Sequence, residues 1–399
     1  MRELSVRTDS RIVLLVLDGL GGLPVEPGGE TELEAAETPN LDSLAAASDL
    51  GLSRPVTAGV SPGSGPGHLA LFGYDPLRYR VGRGVLSALG VGFELGRNDL
   101  AARINFATRD GSGRISDRRA GRIPSGEASK LVDALNEEVR LEGVQTFVVH
   151  EKEHRAVVIF RGEGLSDALT DTDPQRTGLE PLPVEPTDGS AEAKRSAALA
   201  NAFVEEANRV LEGRHPKANT VLLRGFGMHP ALPSFEEVYG LRAAAIAAYP
   251  MYKGLARLAG MELLEEGEGI EGEIETLRES WERGYDFFFI HVKPTDAAGE
   301  DGDFGRKARI IEEVDGLLPR ILELEPDVLA VTGDHATPAK LKSHSWHGVP
   351  FLLHSPYTLP TARSFGERSC AGGSLGVFPA QEIMGYLMGH ALKLNRYGA

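Results

Sequence analysis

The chain has 399 residues, 41% hydrophobic and 25% charged, an ordinary globular balance in a chain too long for one small core. Its 58 acidic and 42 basic residues give a formal net charge of −16, which argues against nucleic acid or an anionic membrane as principal partner but not against a small anionic substrate. The single cysteine, Cys370, excludes an internal disulfide framework, and no apolar run reaches membrane length, so a soluble cytoplasmic protein is expected.

Ile12 to Leu17 is a continuous apolar run stopped by Asp18-Gly19, and it reads as a buried, parallel strand ending in a loop. Thr38-Pro39-Asn40 opens a short helix over Leu41 to Ala47. Gly59 to Gly67 holds four glycines and two prolines in nine residues, a loop of unusual backbone angles, and a helix starts near His68. Further strands are expected at 147–149, 156–160, 220–223, 286–292, 327–332 and 350–353, with helices at 194–211, 304–324 and 381–394. In the second helix Ile310, Ile311, Val314, Leu317, Leu318 and Ile321 share one face. Strands alternating with helices mean an α/β protein with a largely parallel sheet. Between about residues 87 and 235 the segments shorten and arginines and turn residues multiply, as in an inserted domain.

In open parallel sheets ligands collect at the carboxyl ends of strands. Asp18 follows the first strand, Asp296 and Glu300 follow the strand at 286–292, and Asp334-His335 follows that at 327–332. His344 and His347 precede the strand at 350–353. Each residue alone reads more readily as a turn former, a helix cap or a surface group. Together, mixed carboxylate and imidazole ligands suit manganese or zinc better than calcium. Two such ions would lower the pKa of a serine hydroxyl and clamp a phosphate, making Ser64 a nucleophile candidate, although its segment alone also reads as a flexible Gly/Pro loop. Asp117, Arg118 and Arg122 lie in one short span, suited to carboxylate or phosphate or else a solvated basic turn. His150 and His154 read as surface, with a role near the substrate as the alternative, His291 as support within its strand, and Trp281 and Trp346 as core.

Asp18-Gly19, Thr38 to Asp42, the Ser64 loop, Asp296, Asp334-His335 and His344 fall in the order used by the alkaline phosphatase superfamily. Within it, Ser61 to Ser64, His68-Leu69-Ala70, Gly73 to Pro76, Gly82-Arg83-Gly84, Asp117 to Arg122, Asn219 to Gly227 and Lys253 to Ala256 resemble the archaeal-type 2,3-bisphosphoglycerate-independent phosphoglycerate mutases. The resemblance covers nearly the whole chain. It implies an alkaline phosphatase-like, mostly parallel sheet flanked by helices, formed by residues 1–84 and 235–399, with a smaller α/β substrate-binding domain inserted at 85–234. Two linkers would form a hinge around a substrate cleft.

The family implies two divalent ions, manganese first, with magnesium, cobalt or zinc as alternatives. Asp18, Ser64, Asp334 and His335 would hold one; Asp296, Glu300 and His344 the other. Glu300 departs from the family histidine, and an acidic residue commonly follows the serine where this chain has Gly65. His344 is preferred to His347 by its spacing to Val349-Pro350. Lys253 would neutralise phosphate near Ser64, and Asp117, Arg118 and Arg122 would bind the phosphoglycerate. The implied reaction interconverts 2- and 3-phosphoglycerate through phosphoserine; a phosphomonoesterase, a mutase for another substrate and a non-catalytic binding protein are the alternatives. No nucleic-acid or membrane partner is implied, and the oligomeric state stays open.

Overall fold

A computed structural model describes residues 1–230 and 232–398. The chain divides into two compact units, Met1–Arg80 with Leu232–Ala399, and Val81–Ala231. The divisions fall four and three residues before those drawn from the sequence, at 80/81 for 84/85 and 231/232 for 234/235.

In chain order the strands are β1 (Ile12–Leu17), β2 (Asp49–Arg54), β3 (Asp99–Arg109), β4 (Ile115–Asp117), β5 (Gln145–Lys152), β6 (Arg155–Arg161), β7 (Thr220–Met228), β8 (Ala243–Ala247), β9 (Glu262–Leu263), β10 (Phe287–Val292), β11 (Val328–Thr332), β12 (Val349–His354) and β13 (Gly376–Pro379). The first unit holds an eight-stranded sheet of order β13-β2-β12-β11-β1-β10-β8-β9. β1 lies centrally, parallel to β10 and β11, and every residue of these three strands is buried. That explains their unbroken apolar sequence: helices cover both faces, so neither needs polar side chains. β12 is the exception to the parallel rule, running antiparallel to both β11 and β2.

The register positions the site. Leu17 pairs with Val292 and Val16 with Thr332, so β1, β10 and β11 end side by side. Asp18, Lys293 to Asp296 and Asp334-His335 therefore leave the sheet at one edge, as expected at carboxyl ends of strands.

The long helix Phe304–Leu322 buries Ile310, Ile311, Val314, Leu318 and Ile321 against this sheet, with Leu317 partly buried. Asp315 on the same helix accepts the amides of Asn40 (3.3 Å) and Leu41 (2.7 Å). It thereby caps helix Pro39–Ala45, which lacks a side-chain cap from Thr38.

The second unit is an antiparallel sheet, β4-β3-β6-β5 with β7 on β3, and shares a core with helices Ser125–Glu138 and Ala191–Leu211. A Cβ on Gly84 would overlap the Ala101 carbonyl, and one on Gly82 would lie 2.5 Å from the Phe226 oxygen. These glycines let the start of helix Arg83–Gly90 touch the sheet backbone.

Candidate active site

Ser64 is the first residue of helix Ser64–Leu71, and Gly63 is its N-cap. The expected glycine loop is therefore a helix start, where unpaired amides and the helix dipole favour an anion. Gly67 is the tightest position: a Cβ there would overlap the Asp334 carbonyl oxygen. The helix start is thus pressed against the loop after β11, which puts Ser64 Oγ 3.2 Å from His335 Nε2.

Two groups of ligand atoms lie within 4.8 Å of one another, Asp18 with Asp334 and His335, and Asp296 with His335 and His344. His335 Nε2 lies 3.2 Å from Asp334 Oδ2 and 3.3 Å from Asp18 Oδ1. Its other nitrogen lies 2.9 Å from Thr337 Oγ1, which donates to Asp296 Oδ1 at 2.7 Å. The threonine proton is thereby used, so His335 Nδ1 carries the hydrogen and Nε2 presents a lone pair. His344 repeats the device: its Nδ1 donates to the Pro62 carbonyl at 2.9 Å, freeing Nε2, and its ring stacks on His335 at 3.6 Å.

Carboxylates and imidazole lone pairs thus face one another without protons to share. Asp18 and Asp334 are fully buried, and Asp18 Oδ1 and Asp334 Oδ2 have no well-aligned donor. Burial pushes the pKa of Asp18 up, but His291 and Lys293 outweigh it and hold the acid well below its ordinary range. Asp334 is also held low: burial and Asp18 push upward, against His335 and His68. Burial lowers His335, keeping it neutral. A buried set of acceptors with this composition fits divalent cations.

Glu300 stands apart from both groups. Its Oε1 is 3.8 Å from His344 Nε2, and its side chain is 56% exposed. His347 turns to Ser345 Oγ at 3.0 Å and stacks on Trp346. Lys253 Nζ is held by Glu266 Oε1 at 2.7 Å.

The lysine at the cluster is Lys293, which the sequence reading passed over. Tyr252 was also missed: its hydroxyl donates to Asp18 Oδ2, and its ring stacks on His291 at 3.6 Å. His68 Nδ1 donates to the Ser64 carbonyl at 2.9 Å, tying the helix start to its own next turn. Lys307 was missed although it stands in the apolar stripe of its helix. It is fully buried, donating to the carbonyls of Gly19 (2.9 Å), Gly21 (3.0 Å) and Thr337 (3.0 Å). It joins the loops that follow Asp18 and His335. Fully buried Glu32 does similar work, accepting the amides of Ala339 (2.7 Å) and Leu23 (3.1 Å). Gly19 has φ +66°, and a Cβ there would lie 2.6 Å from Thr337 Oγ1.

In the second unit Asp117 accepts the amides of Arg119 and Gly121, both at 2.8 Å. It braces a turn in which Ala120, Gly121 and Arg122 all have positive φ. Arg118 forks onto buried Asp173 at 2.8 and 2.7 Å. Arg122 is exposed on the same turn. His154, expected at the surface, is 1% exposed. Burial, then the charges of Arg155, Arg119, Arg103 and Arg122, lower its pKa to about 4, so the imidazole is neutral. Trp346 is a second correction: it is 53% exposed, whereas Trp281 is in the core at 7%. It sits in the ligand loop between His344 and Gly348, where no apolar stripe directs it inward.

A sequence model described as 2,3-bisphosphoglycerate-independent phosphoglycerate mutase matches residues 45–216. A Thermus thermophilus protein named probable 2,3-bisphosphoglycerate-independent phosphoglycerate mutase is 55% identical, over 100% of this chain and 98% of its own. The chain belongs to this mutase family. A Deinococcus radiodurans relative of the same name is 51% identical with the same coverage. Among solved structures, a Pyrococcus horikoshii protein matches with a TM-score of 0.84 and 31% identity, over 98% of this chain and 99% of its own. The cofactor-independent phosphoglycerate mutase of Thermoplasma acidophilum matches with a TM-score of 0.72 and 34% identity, over 96% and 100%. Family and fold thus agree with the resemblance read from the motifs. Among the described residues no helix is long and apolar enough to cross a membrane.

Proposed function

We propose that the chain interconverts 3-phosphoglycerate and 2-phosphoglycerate through a phosphoserine at Ser64. The observation that carries this reading is the serine hydroxyl at a helix start, 3.2 Å from an imidazole shared by two ligand groups, one fully buried and one half-open at His344. Asp18, Asp334 and His335 would hold one divalent ion with Ser64; Asp296 and His344 would hold the other, with His335 between them and Glu300 near enough to join by a side-chain turn. Bound there, the ions would supply Lewis-acid charge that favours the serine alkoxide and neutralises the phosphoryl oxygens. Manganese suits this mixed donor set, and Glu300 adds hard-ligand character.

Ser64 Oγ forms its bond to phosphorus as the glycerate oxygen–phosphorus bond breaks, and the proton that the serine gives up is balanced by the one that the departing glycerate oxygen takes up. Glycerate then turns, and its other hydroxyl takes the phosphoryl group back. Lys253 contributes positive charge for the phosphate once it leaves Glu266. Arg122, exposed on the braced turn, would bind the carboxylate of the substrate. Arg118 and Asp117 act by building that turn. Held glycerate outcompetes water as acceptor, which separates a mutase from a phosphatase.

The test is an enolase-coupled assay with manganese, alongside measurement of free phosphate. Parent protein should form isomer with little phosphate, and Ser64→Ala should lose nearly all activity. Equal activity in the two proteins would remove Ser64 as nucleophile, and phosphate in place of isomer would make the chain a phosphomonoesterase.

A further inference from the structure

Lys293 belongs to neither ligand group, yet it touches both. It follows β10 directly and stands at the start of helix Pro294–Asp301. Its Nζ donates to Asp18 Oδ2 at 3.0 Å and to Asp296 Oδ2 at 2.5 Å. One ammonium therefore holds a carboxylate from each group. The rings of Tyr249 and Tyr252 lie 5.8 and 5.7 Å from Nζ, adding weak cation–π attraction.

We propose that Lys293 is an internal counter-cation that competes with divalent ions for the two ligand groups and couples their occupation. This rests on the reading that both groups bind such ions. An ion entering beside Asp18 must share that carboxylate with the ammonium and repels it at short range. The lysine keeps its bond to Asp296, so an ion entering the second group must displace it again. A four-carbon stem and 27% side-chain exposure give the ammonium a way out toward water. Lys293 thus holds the two carboxylates in place, and it keeps the affinity for the ions below what the ligands alone would reach.

The decisive comparison is Lys293→Met with Lys293→Arg, which keeps the charge, and Lys293→Gln, which keeps a donor without it. Manganese affinity is measured by titration calorimetry and the unfolding midpoint in chelator and in manganese, with circular dichroism as the folding control. The expected result for Met and Gln is a dissociation constant lower by roughly tenfold or more. Their midpoint in chelator should fall, and the rise on adding manganese should grow; Arg should stay within about threefold of the parent. Charge-free variants that bind manganese no tighter, or more weakly, would overturn the proposal while leaving the parent's metal binding intact. A parent that binds no manganese would overturn both this proposal and the function on which it rests.

Discussion

Replacing Glu273 by glutamine should stabilise the protein by an amount that grows with pH. Glu273 lies on helix Gly269–Ser280, is 4% exposed, and has no partner for its Oε2. Burial, then the nearby Glu266 carboxylate, raise its pKa from 4.5 to about 8. Below 4.5 the carboxyl is protonated in folded and unfolded chains alike, so parent and variant should differ little in slope. Between 4.5 and 8 the unfolded chain gives up the proton and the folded chain keeps it, so the parent loses stability as pH rises. At about 1.4 kcal/mol per pH unit the full gap corresponds to roughly 5 kcal/mol, a ceiling that relaxation and water entry reduce to about 2–3 kcal/mol. Glutamine fills the same space without this penalty. Urea unfolding at pH 5 and pH 8 measures the difference. An advantage for glutamine that fails to grow between the two, or a variant less stable at pH 8, would refute the argument.

Three further changes test how the site is built. Lys307→Met removes three charge-assisted hydrogen bonds but also the burial cost of an ammonium, so a net loss of about 2–4 kcal/mol in urea unfolding is expected. Manganese affinity should fall about tenfold, because the loops after Asp18 and His335 lose their common tie. Gly67→Ala must push the Ser64 helix off the Asp334 carbonyl, costing about 1–3 kcal/mol of stability and lowering kcat roughly a hundredfold. Arg118→Ala leaves Asp173 only the Gln175 amide at 2.9 Å and the Arg224 guanidinium 3.4 Å away, and should destabilise the inserted unit by about 2–4 kcal/mol, read as faster hydrogen exchange around residue 173. Arg122→Ala should leave stability unchanged within about 0.5 kcal/mol and raise KM at least roughly tenfold.

What the sequence made legible was what the sheet dictates. β1, β10 and β11 are buried on both faces, so each writes itself as an unbroken apolar run, and the residue after each run falls at the sheet's carboxyl edge. Asp18, Asp296 and Asp334-His335 were readable for that reason. β3 was not read at all: its 11 residues include Arg103 and Asn105 among apolar neighbours, so neither a clean run nor a clean alternation marks it. β8 is alanine-rich, a composition that favours helix more than strand, and only its place beside β10 makes it a strand. Lys307 carried a visible signal, since it continues the stripe through Ile311, Val314 and Leu318, and a lysine in an apolar stripe asks for buried acceptors. Tyr252 carried none, because it reaches Asp18 from a segment far away in the chain; Lys293 stands directly after β10 at the same carboxyl edge, but an ammonium has no lone pair to offer a metal, so a search for ligands passes it by.

The site's supports explain how carboxylates of like charge can be held together. Asp18 and Asp334 repel each other in a fully buried setting, and their charges are tolerated because neighbouring groups, His291 and Lys293 at Asp18 and His335 and His68 at Asp334, offset that repulsion. Their backbones are fixed by strand register and by loop bonds: the amide of Asp18 donates to the Val292 carbonyl at 2.9 Å, and Asp334 Oδ1 accepts the Gly19 amide at 3.1 Å. The imidazoles are fixed in turn by Thr337 and the Pro62 carbonyl, which settle their protons away from the cluster. Geometry set from outside in this way survives whether the charges inside are balanced by an ammonium or by metal ions. It therefore favours binding with little rearrangement, and places the cost of the repulsion on the packing of β1, β10 and β11, which is the part of the fold best able to bear it.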